Sequence, residues 1–169
     1  MEIPKKIEQL YQEAIIKLSN DAALLHVAED KVYLVYSLNS EVECKQLPFG
    51  YQTIPEQFFK NDLPNDAEIE AAITLIEDEL MPLAGDMRKL QLQLASFDEQ
   101  IHELASYADA DKSIGTGDVE RIFSRLAAIV MGRPASMDVL PATGKFISYT
   151  LIVREIMHHL AFPSIIVLD

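Results

Sequence analysis

The stretch 22-AALLHVAEDKVYLVYSLNSEVECKQL-47 decides the fold. It is rich in Leu, Val and Tyr, and residues 32–36 have the β-branched and aromatic composition of a strand. The polar pair Glu29 and Asp30 divides the stretch as a turn divides two strands. A third strand is expected within 42–47. The stretch therefore predicts hairpin-connected antiparallel strands at the centre of the domain.

Helical periodicity surrounds these strands. Apolar residues recur at the spacing of one helix face over 3–18 and over 118–131, and a long helix is expected at 145–160. Residues 48–65 contain several Pro, Gly and Asn and predict a loop. The fully apolar run 164–168 is typical of a buried strand that returns to the sheet.

Residues 65–108 contain two further signals for secondary structure. Asn65 followed by Glu68 predicts a capping box, and the helix that it opens is expected to end at Pro82 and Gly85. Residues 87–108 fit both a half-buried strand and a helical stripe. A second capping box, Ser96 with Glu99, favours a strand followed by a helix.

These patterns predict one α+β domain over 1–169. Its sheet is small and mostly antiparallel, with strands near 22–47, 89–95 and 164–168, and four to five helices pack against it.

Composition excludes several classes of protein. The chain is 49% hydrophobic and 24% charged, which is enough to build a core. No apolar run is long enough for a membrane helix, no signal peptide is evident, and Cys44 has no second cysteine to pair with. The formal charge of −13 opposes binding to phosphate backbones. We therefore expect a cytoplasmic protein that binds neither nucleic acid nor membrane.

Three residues are candidates for ligand binding. The glycines of 115–117 open a predicted helix but lack the third glycine of a dinucleotide-binding loop. Free N–H groups at this helix start, with Arg121 one turn in, suit an anion, although Asp118 there favours helix capping instead. Arg154 and His158 lie on one side of the last helix. Arg121, Arg154 and His158 are thus the candidate ligand-binding residues.

Two Glu-x-x-His elements match the spacing of di-iron carboxylate bundles. The alternative metal site consists of Glu99, His102, Glu155 and His158, and the intervening helices offer Glu70, Glu77 and Glu120. At about 100° per residue, all four side chains point away from the apolar stripes of their own helices. Bundle ligands must project inward. The sequence therefore predicts neither a metal nor a cofactor.

The other histidines have structural interpretations. His158 and His159 fall in the last turn of a helix, where an imidazolium meets the negative end of the macrodipole, and Glu155 can pair with His159. His26 lies in an apolar strand and is interpreted as a core or face histidine. No nucleophile elbow or cysteine signature occurs, so the catalytic residues stay unknown.

The last helix also predicts self-association. Ile147 and Leu151 widen its apolar surface beyond one face, and the acidic excess is confined to 1–111. A homodimer that buries this helix is expected, and another protein is a possible partner. The alternative is that the C-terminal strand or the loop at 49–59 covers this side of the helix within one chain. The function expected is that of a binding or assembly module rather than an enzyme. The alternative is a small hydrolase or metal-dependent enzyme that uses His102, His158 or His159 with nearby carboxylates.

Overall fold

A six-stranded sheet carries the fold in the computed structural model, which describes residues 2–19 and 22–169. The elements in chain order are α1 (Lys5–Leu18), β1 (Ala22–Val27), β2 (Val32–Leu38), β3 (Glu41–Leu47), α2 (Thr53–Phe58), α3 (Asp66–Leu90), β4 (Gln93–Ser96), α4 (Glu99–Tyr107), β5 (Ser113–Gly115), α5 (Thr116–Val130), a 3-10 turn (Ala135–Met137), α6 (Gly144–His159) and β6 (Ser164–Val167). The predicted α+β class is confirmed.

The sheet is mixed, in the order β3-β2-β1-β4-β6-β5. Strands β1, β2 and β3 form the predicted antiparallel meander, and β5 pairs antiparallel with β6. Strand β1 pairs parallel with β4, and β4 pairs parallel with β6. The carboxyl ends of β1, β4 and β6 therefore meet at one side of the sheet, which we call the carboxyl edge.

Alternation along β1 assigns the two faces of the sheet. Ala22 and Leu24 pack with the buried side chains of α1, whereas Ala23, Leu25 and Val27 join the larger core under the other helices. This follows from the two-residue period of a strand. The sheet thus has α1 on one face and the remaining helices on the other.

Helix α6 is the innermost helix of the larger core. It packs against α2, α3, α4 and α5, and 12 of its 16 residues are buried. Ile147 and Leu151 are both fully buried within this single chain. The expectation that these two side chains form an exposed apolar surface for a dimer contact is therefore wrong, because neighbouring helices surround α6 on several sides. The homodimer itself stays a prediction.

Helix α3 is longer than the sequence predicts. It begins at the predicted Asn65–Glu68 capping box but continues through Pro82 and Gly85 to Leu90. Pro82 is exposed, so water can satisfy the carbonyl that its missing N–H leaves free. Leu80, Ala84 and Met87 continue the buried stripe across it. Burial of that stripe offsets the proline penalty of about 3 kcal/mol.

The ambiguous segment 87–108 begins as the end of α3 and then forms the predicted strand followed by a helix, but the strand starts at Gln93 rather than near 89. Strand β4 ends at Ser96, but Ser96 does not form the expected capping box with Glu99. Its hydroxyl accepts a hydrogen bond from the backbone N–H of Asp98, and Asp98 stands at the N-cap of α4. Helix α2, inside the predicted loop, and strand β5 were not expected; both are short. None of the described helices is long and apolar enough to cross a bilayer.

The predicted core face of α5 permits a direct stability test. Leu126 is buried, as its place on the stripe predicts. We expect Leu126→Ala to lower the free energy of unfolding by about 2–5 kcal/mol, because the neighbours of a fully buried leucine relax only partly into the cavity. Urea unfolding measures this, and a loss below about 1 kcal/mol would contradict the packing described for α5.

An ion pair with a buried carboxylate anchors the loop after α5. Both oxygens of Asp138 accept hydrogen bonds from Arg125, at 3.0 and 2.5 Å, and the carboxylate is almost inaccessible. Hydrogen bonding by Arg125 is the main cause that lowers the pKa of Asp138 from 3.8 to about 2.

This pKa gives stability a defined dependence on pH. Because the pKa of Asp138 is lower in the folded than in the unfolded protein, its ionised form stabilises the fold above about pH 4. This part of the free energy of unfolding is lost as Asp138 becomes protonated between about pH 4 and pH 2. Because Arg125 is partly exposed and screened, we expect Asp138→Asn to cost about 1 kcal/mol at pH 7. The difference between wild type and variant should shrink towards pH 2 in urea titrations. A difference that does not change with pH would contradict this origin.

Candidate active site

A histidine and a buried carboxylate meet at the carboxyl edge. His26 is the penultimate residue of β1, and Asp98 lies two residues beyond the end of β4. The His26 Nδ1 atom is 2.6 Å from Asp98 Oδ1. The Asp98 side chain is 1% exposed, whereas that of His26 is 23% exposed. One ring nitrogen thus contacts a buried acid, and the imidazole remains accessible to small molecules.

Two further donors hold the Asp98 carboxylate in place. Its Oδ2 atom accepts hydrogen bonds from the Val27 backbone N–H at 2.9 Å and from the Tyr149 hydroxyl at 3.0 Å. Burial, followed by the charge and hydrogen bonding of Asp98, raises the pKa of Tyr149 well above 10. The Tyr149 hydroxyl therefore stays protonated throughout the neutral pH range and can donate its hydrogen bond to Asp98. These bonds offset the cost of burying a carboxylate.

The elements explain why these residues meet. Parallel pairing aligns Leu24 with Ala95, which brings the ends of β1 and β4 side by side. Carboxyl ends of adjacent parallel strands commonly form ligand sites in open sheets. Asp98 is fixed there because α4 begins at the next residue, and Tyr149 reaches it from the innermost helix.

A loop after β3 closes one side of this cluster. The backbone N–H of Tyr51 donates to the Ala28 carbonyl in the β1–β2 turn, and the Tyr51 ring contacts the Tyr149 ring edge-on. Tyr51 also lines a cavity of about 230 Å³ together with Gln100 and Lys145. Burial, then the charge of Glu29, raises the pKa of the Tyr51 hydroxyl. Tyr51 therefore contributes both to this cavity and to the aromatic contact with Tyr149, which donates to Asp98.

This arrangement is chemically suited to general base catalysis. An Asp98 carboxylate that accepts from Nδ1–H keeps the His26 proton on Nδ1, so that Nε2 carries the lone pair. Among the described residues Nε2 has no hydrogen-bond partner. Such a nitrogen can remove a proton from a water molecule or a substrate hydroxyl.

The structure separates the three predicted ligand-binding residues. Arg154 and His158 line the same cavity of about 480 Å³ beside the start of α5. Arg154 is held by Glu120 and Glu155, at 2.8 and 2.5 Å. Arg121 lines a different cavity and pairs with Asp118. Only two of the three residues therefore share one site.

The four residues of the alternative metal site are not gathered either. Glu99 and His102 are exposed on α4, where His102 Nε2 is 3.0 Å from the Leu168 carbonyl oxygen. No three of the four meet at one point within the described residues. The expectation that Glu155 points outward is wrong, because its side chain is 3% exposed. Glu155 lies instead with Glu77 and His159, the described group that could hold a metal ion.

Sequence reasoning missed the His26 site. Its strand is apolar, and Asp98 is 72 residues away along the chain. The available signal was the position of Asp98, an acidic residue two positions after a short strand. Cys44 offers no alternative nucleophile of comparable quality, since burial raises the pKa of its thiol.

Comparison with known proteins identifies the fold. No family model matches the chain, and no curated protein matches its sequence. A Ppx/GppA phosphatase of Aquifex aeolicus, the type II variant, superposes with a TM-score of 0.76 at 17% identity over 94% of this chain and 57% of its own. The fold is that of Ppx/GppA phosphatases. An exopolyphosphatase from Cytophaga hutchinsonii superposes with a TM-score of 0.64 at 14% identity over 88% of this chain and 53% of its own.

These likenesses correct the functional expectation from sequence. The chain spans a little over half the length of the proteins that it resembles. Those proteins are described as a phosphatase and an exopolyphosphatase, so description of this chain as an interaction module is wrong. Both descriptions are of hydrolases, the class that the sequence analysis gives as its alternative.

Proposed function

We propose that the chain is a hydrolase module for phosphate esters or phosphoanhydrides, with His26 as its general base. The observation that carries the proposal is the 2.6 Å contact between His26 Nδ1 and the buried Asp98. The reaction class comes from the names of the structural neighbours, a phosphatase and an exopolyphosphatase. Fold likeness alone does not select a reaction, but the histidine–aspartate pair supplies the base that a hydrolase requires.

The proposed reaction uses water as the nucleophile. His26 Nε2 removes a proton from water as the water oxygen bonds to phosphorus, and the bond from phosphorus to the leaving oxygen breaks. The leaving oxygen takes a proton from solvent. Asp98 stabilises the imidazolium that forms, and Tyr149 and Val27 keep Asp98 oriented. Positioning by these buried groups is the contribution of the fold.

Charge at the carboxyl edge restricts the form of the substrate. Glu29 and Asp30 lie in the β1–β2 turn, and Glu99 begins α4 beside Asp98. These acids repel a free phosphate anion. In the cavity that Tyr51 lines, Lys145 attracts an anion but Glu103 repels it. We therefore expect the substrate to bind as its Mg²⁺ complex, in which the ion neutralises phosphate charge.

A second copy of the chain is a proposed source of a surface that faces the carboxyl edge. The structural neighbours are longer, and this chain accounts for 57% of the Aquifex aeolicus phosphatase. The homodimer predicted from the sequence would supply a facing surface. Light scattering should then give twice the 19.0 kDa of one chain. A mass of one chain at all concentrations would exclude this source. Leu151→Glu no longer tests the contact, because Leu151 is buried within the chain.

Phosphate release from a panel of substrates tests the function. The panel contains a phosphomonoester, pyrophosphate, a polyphosphate and a nucleoside triphosphate, each with and without Mg²⁺. We expect Mg²⁺-dependent release of inorganic phosphate from at least one of them, in proportion to the concentration of purified protein. Absence of turnover on the whole panel, by protein whose fold is verified by circular dichroism, would overturn the proposal.

A further inference from the structure

We propose that Glu77, Glu155 and His159 form a binding site for one divalent transition-metal ion, with Zn²⁺ as the best occupant. His159 Nε2 is 3.2 Å from Glu77 Oε1 and 3.1 Å from Glu155 Oε2, and the three ligand atoms lie within 4.8 Å of one another. Helix α3 supplies Glu77, and α6 supplies the other two. This site is separate from the carboxyl edge and does not depend on the hydrolase proposal.

The two distances from the imidazole nitrogen suit tetrahedral coordination. Ligand atoms about 2.0–2.1 Å from Zn²⁺ in a tetrahedral site lie about 3.3 Å from one another. The two distances from the imidazole nitrogen, 3.2 and 3.1 Å, are close to that value. Three protein ligands of the types imidazole and carboxylate leave a fourth position for water.

The imidazole nitrogen faces two carboxylate oxygens, so either a proton or a metal ion must lie between them. If His159 Nε2 carried only a lone pair, it would face two carboxylate oxygens, and all three atoms would repel one another. A proton on Nε2 relieves this, but one N–H points well at only one acceptor at a time. A metal ion bonds to all three atoms at once. An imidazole ligand also favours Zn²⁺ over Mg²⁺, which prefers oxygen.

Neighbouring groups fix the ligands. The Glu155 side chain is 3% exposed, and Arg154 holds its other oxygen at 2.5 Å, so Oε2 is left facing His159. Glu120 pairs with Arg154 at 2.8 Å and offsets its positive charge. The His159 backbone carbonyl accepts from Arg88, which ties the end of α6 to α3. Such support orients metal ligands before the ion binds.

The site also has a route to solvent. Glu77 is 43% exposed and His159 is 15% exposed, whereas Glu155 forms the buried floor. An ion can therefore enter from the side of Glu77, where a water molecule can complete its coordination.

Calorimetric titration of the chelator-treated full chain with Zn²⁺ tests the proposal. We expect one ion per chain with a Kd below about 10 µM, and at least a tenfold loss of affinity in Glu77→Gln and in His159→Gln. The matched controls are Glu70→Gln, exposed on α3, and His102→Gln, exposed on α4; both should bind like wild type. A large excess of Mg²⁺ should not displace Zn²⁺.

A second readout keeps the test independent of folding. Co²⁺ bound in place of Zn²⁺ should give visible absorption bands of a four- or five-coordinate ion, and His159→Gln should lose them while its circular dichroism is unchanged. Zn²⁺ should also raise the Tm of wild type but not that of His159→Gln. No stoichiometric binding, or equal affinity in wild type and both cluster variants, would mean that the cluster holds only a proton.

Discussion

Asp98→Asn is expected to retain the fold and to lose hydrolase activity by about 10²- to 10⁴-fold. Val27 N–H and Tyr149 O–H both donate to Oδ2, so the amide oxygen of the introduced side chain must take that place. The amide NH₂ then faces His26 Nδ1 and donates to it. This places the His26 proton on Nε2, and the base is lost. The measurement is kcat/KM for phosphate release from one chosen substrate, compared between wild type and variant.

Tyr149→Phe is the matched control for this change. It removes one hydrogen bond to Asp98 but leaves the carboxylate and the His26 tautomer intact. We expect a loss of about 1 kcal/mol in the free energy of unfolding and a fall in activity of less than about tenfold. Wild-type activity in folded Asp98→Asn would show that Asp98 does not orient a catalytic base.

Gly50→Ala is expected to cost about 3 kcal/mol or more in the free energy of unfolding, the largest stability effect that we anticipate from a single added methyl group. A Cβ at Gly50 would lie 2.3 Å from the Ala28 carbonyl oxygen and 2.4 Å from the Glu29 carbonyl. Both contacts are with backbone, so the β1–β2 turn must move. Because Tyr51 follows Gly50 and packs beside the site, hydrolase activity should fall as well.

Gly85→Ala provides a control of opposite sign. Gly85 lies inside α3, and a Cβ added there meets nothing within 4 Å beyond its chain neighbours and the adjacent backbone of its own helix. Alanine should stabilise the helix by about 0.5–1 kcal/mol, because it restricts the unfolded chain more than glycine does. Thermal and urea unfolding compare the two variants. If Gly50→Ala is as stable as wild type, the close packing of the loop on the β1–β2 turn is incorrect.

Local patterns were sufficient to predict most of the fold. The hairpin strands within 22–47, the capping box at Asn65 and the buried face of α5 all depend on short-range chemistry, and each is present. The errors arose where tertiary burial outweighs local preference. Pro82 should end a helix by its own chemistry, but the buried stripe of α3 continues past it.

The central position of α6 could not be derived from its own sequence. An apolar surface wider than one face fits a helix at a dimer contact as well as a helix surrounded by its own chain. Only the packing of several helices around Ile147 and Leu151 distinguishes these alternatives. The same packing explains why Glu155, expected at the surface, is buried.

The candidate site was hidden because its residues come together through the sheet. His26 and Asp98 meet only when β1 and β4 pair in parallel, a pairing between strands far apart in sequence. Periodicity within β1 says nothing of a partner beyond the end of β4. Glu-x-x-His spacing, in contrast, was visible in the sequence, but it selected His158 rather than the adjacent His159 that contacts Glu77 and Glu155.

The most direct test compares kcat/KM for phosphate release by His26→Gln and His102→Gln. Both histidines lie at the carboxyl edge and are partly exposed, but only the His26 side chain contacts the Asp98 carboxylate. We predict a loss of about 10²-fold or more in His26→Gln and less than about twofold in His102→Gln, with both proteins folded. Equal activity of the two variants, at the level of wild type, would contradict the assignment of His26 as the base.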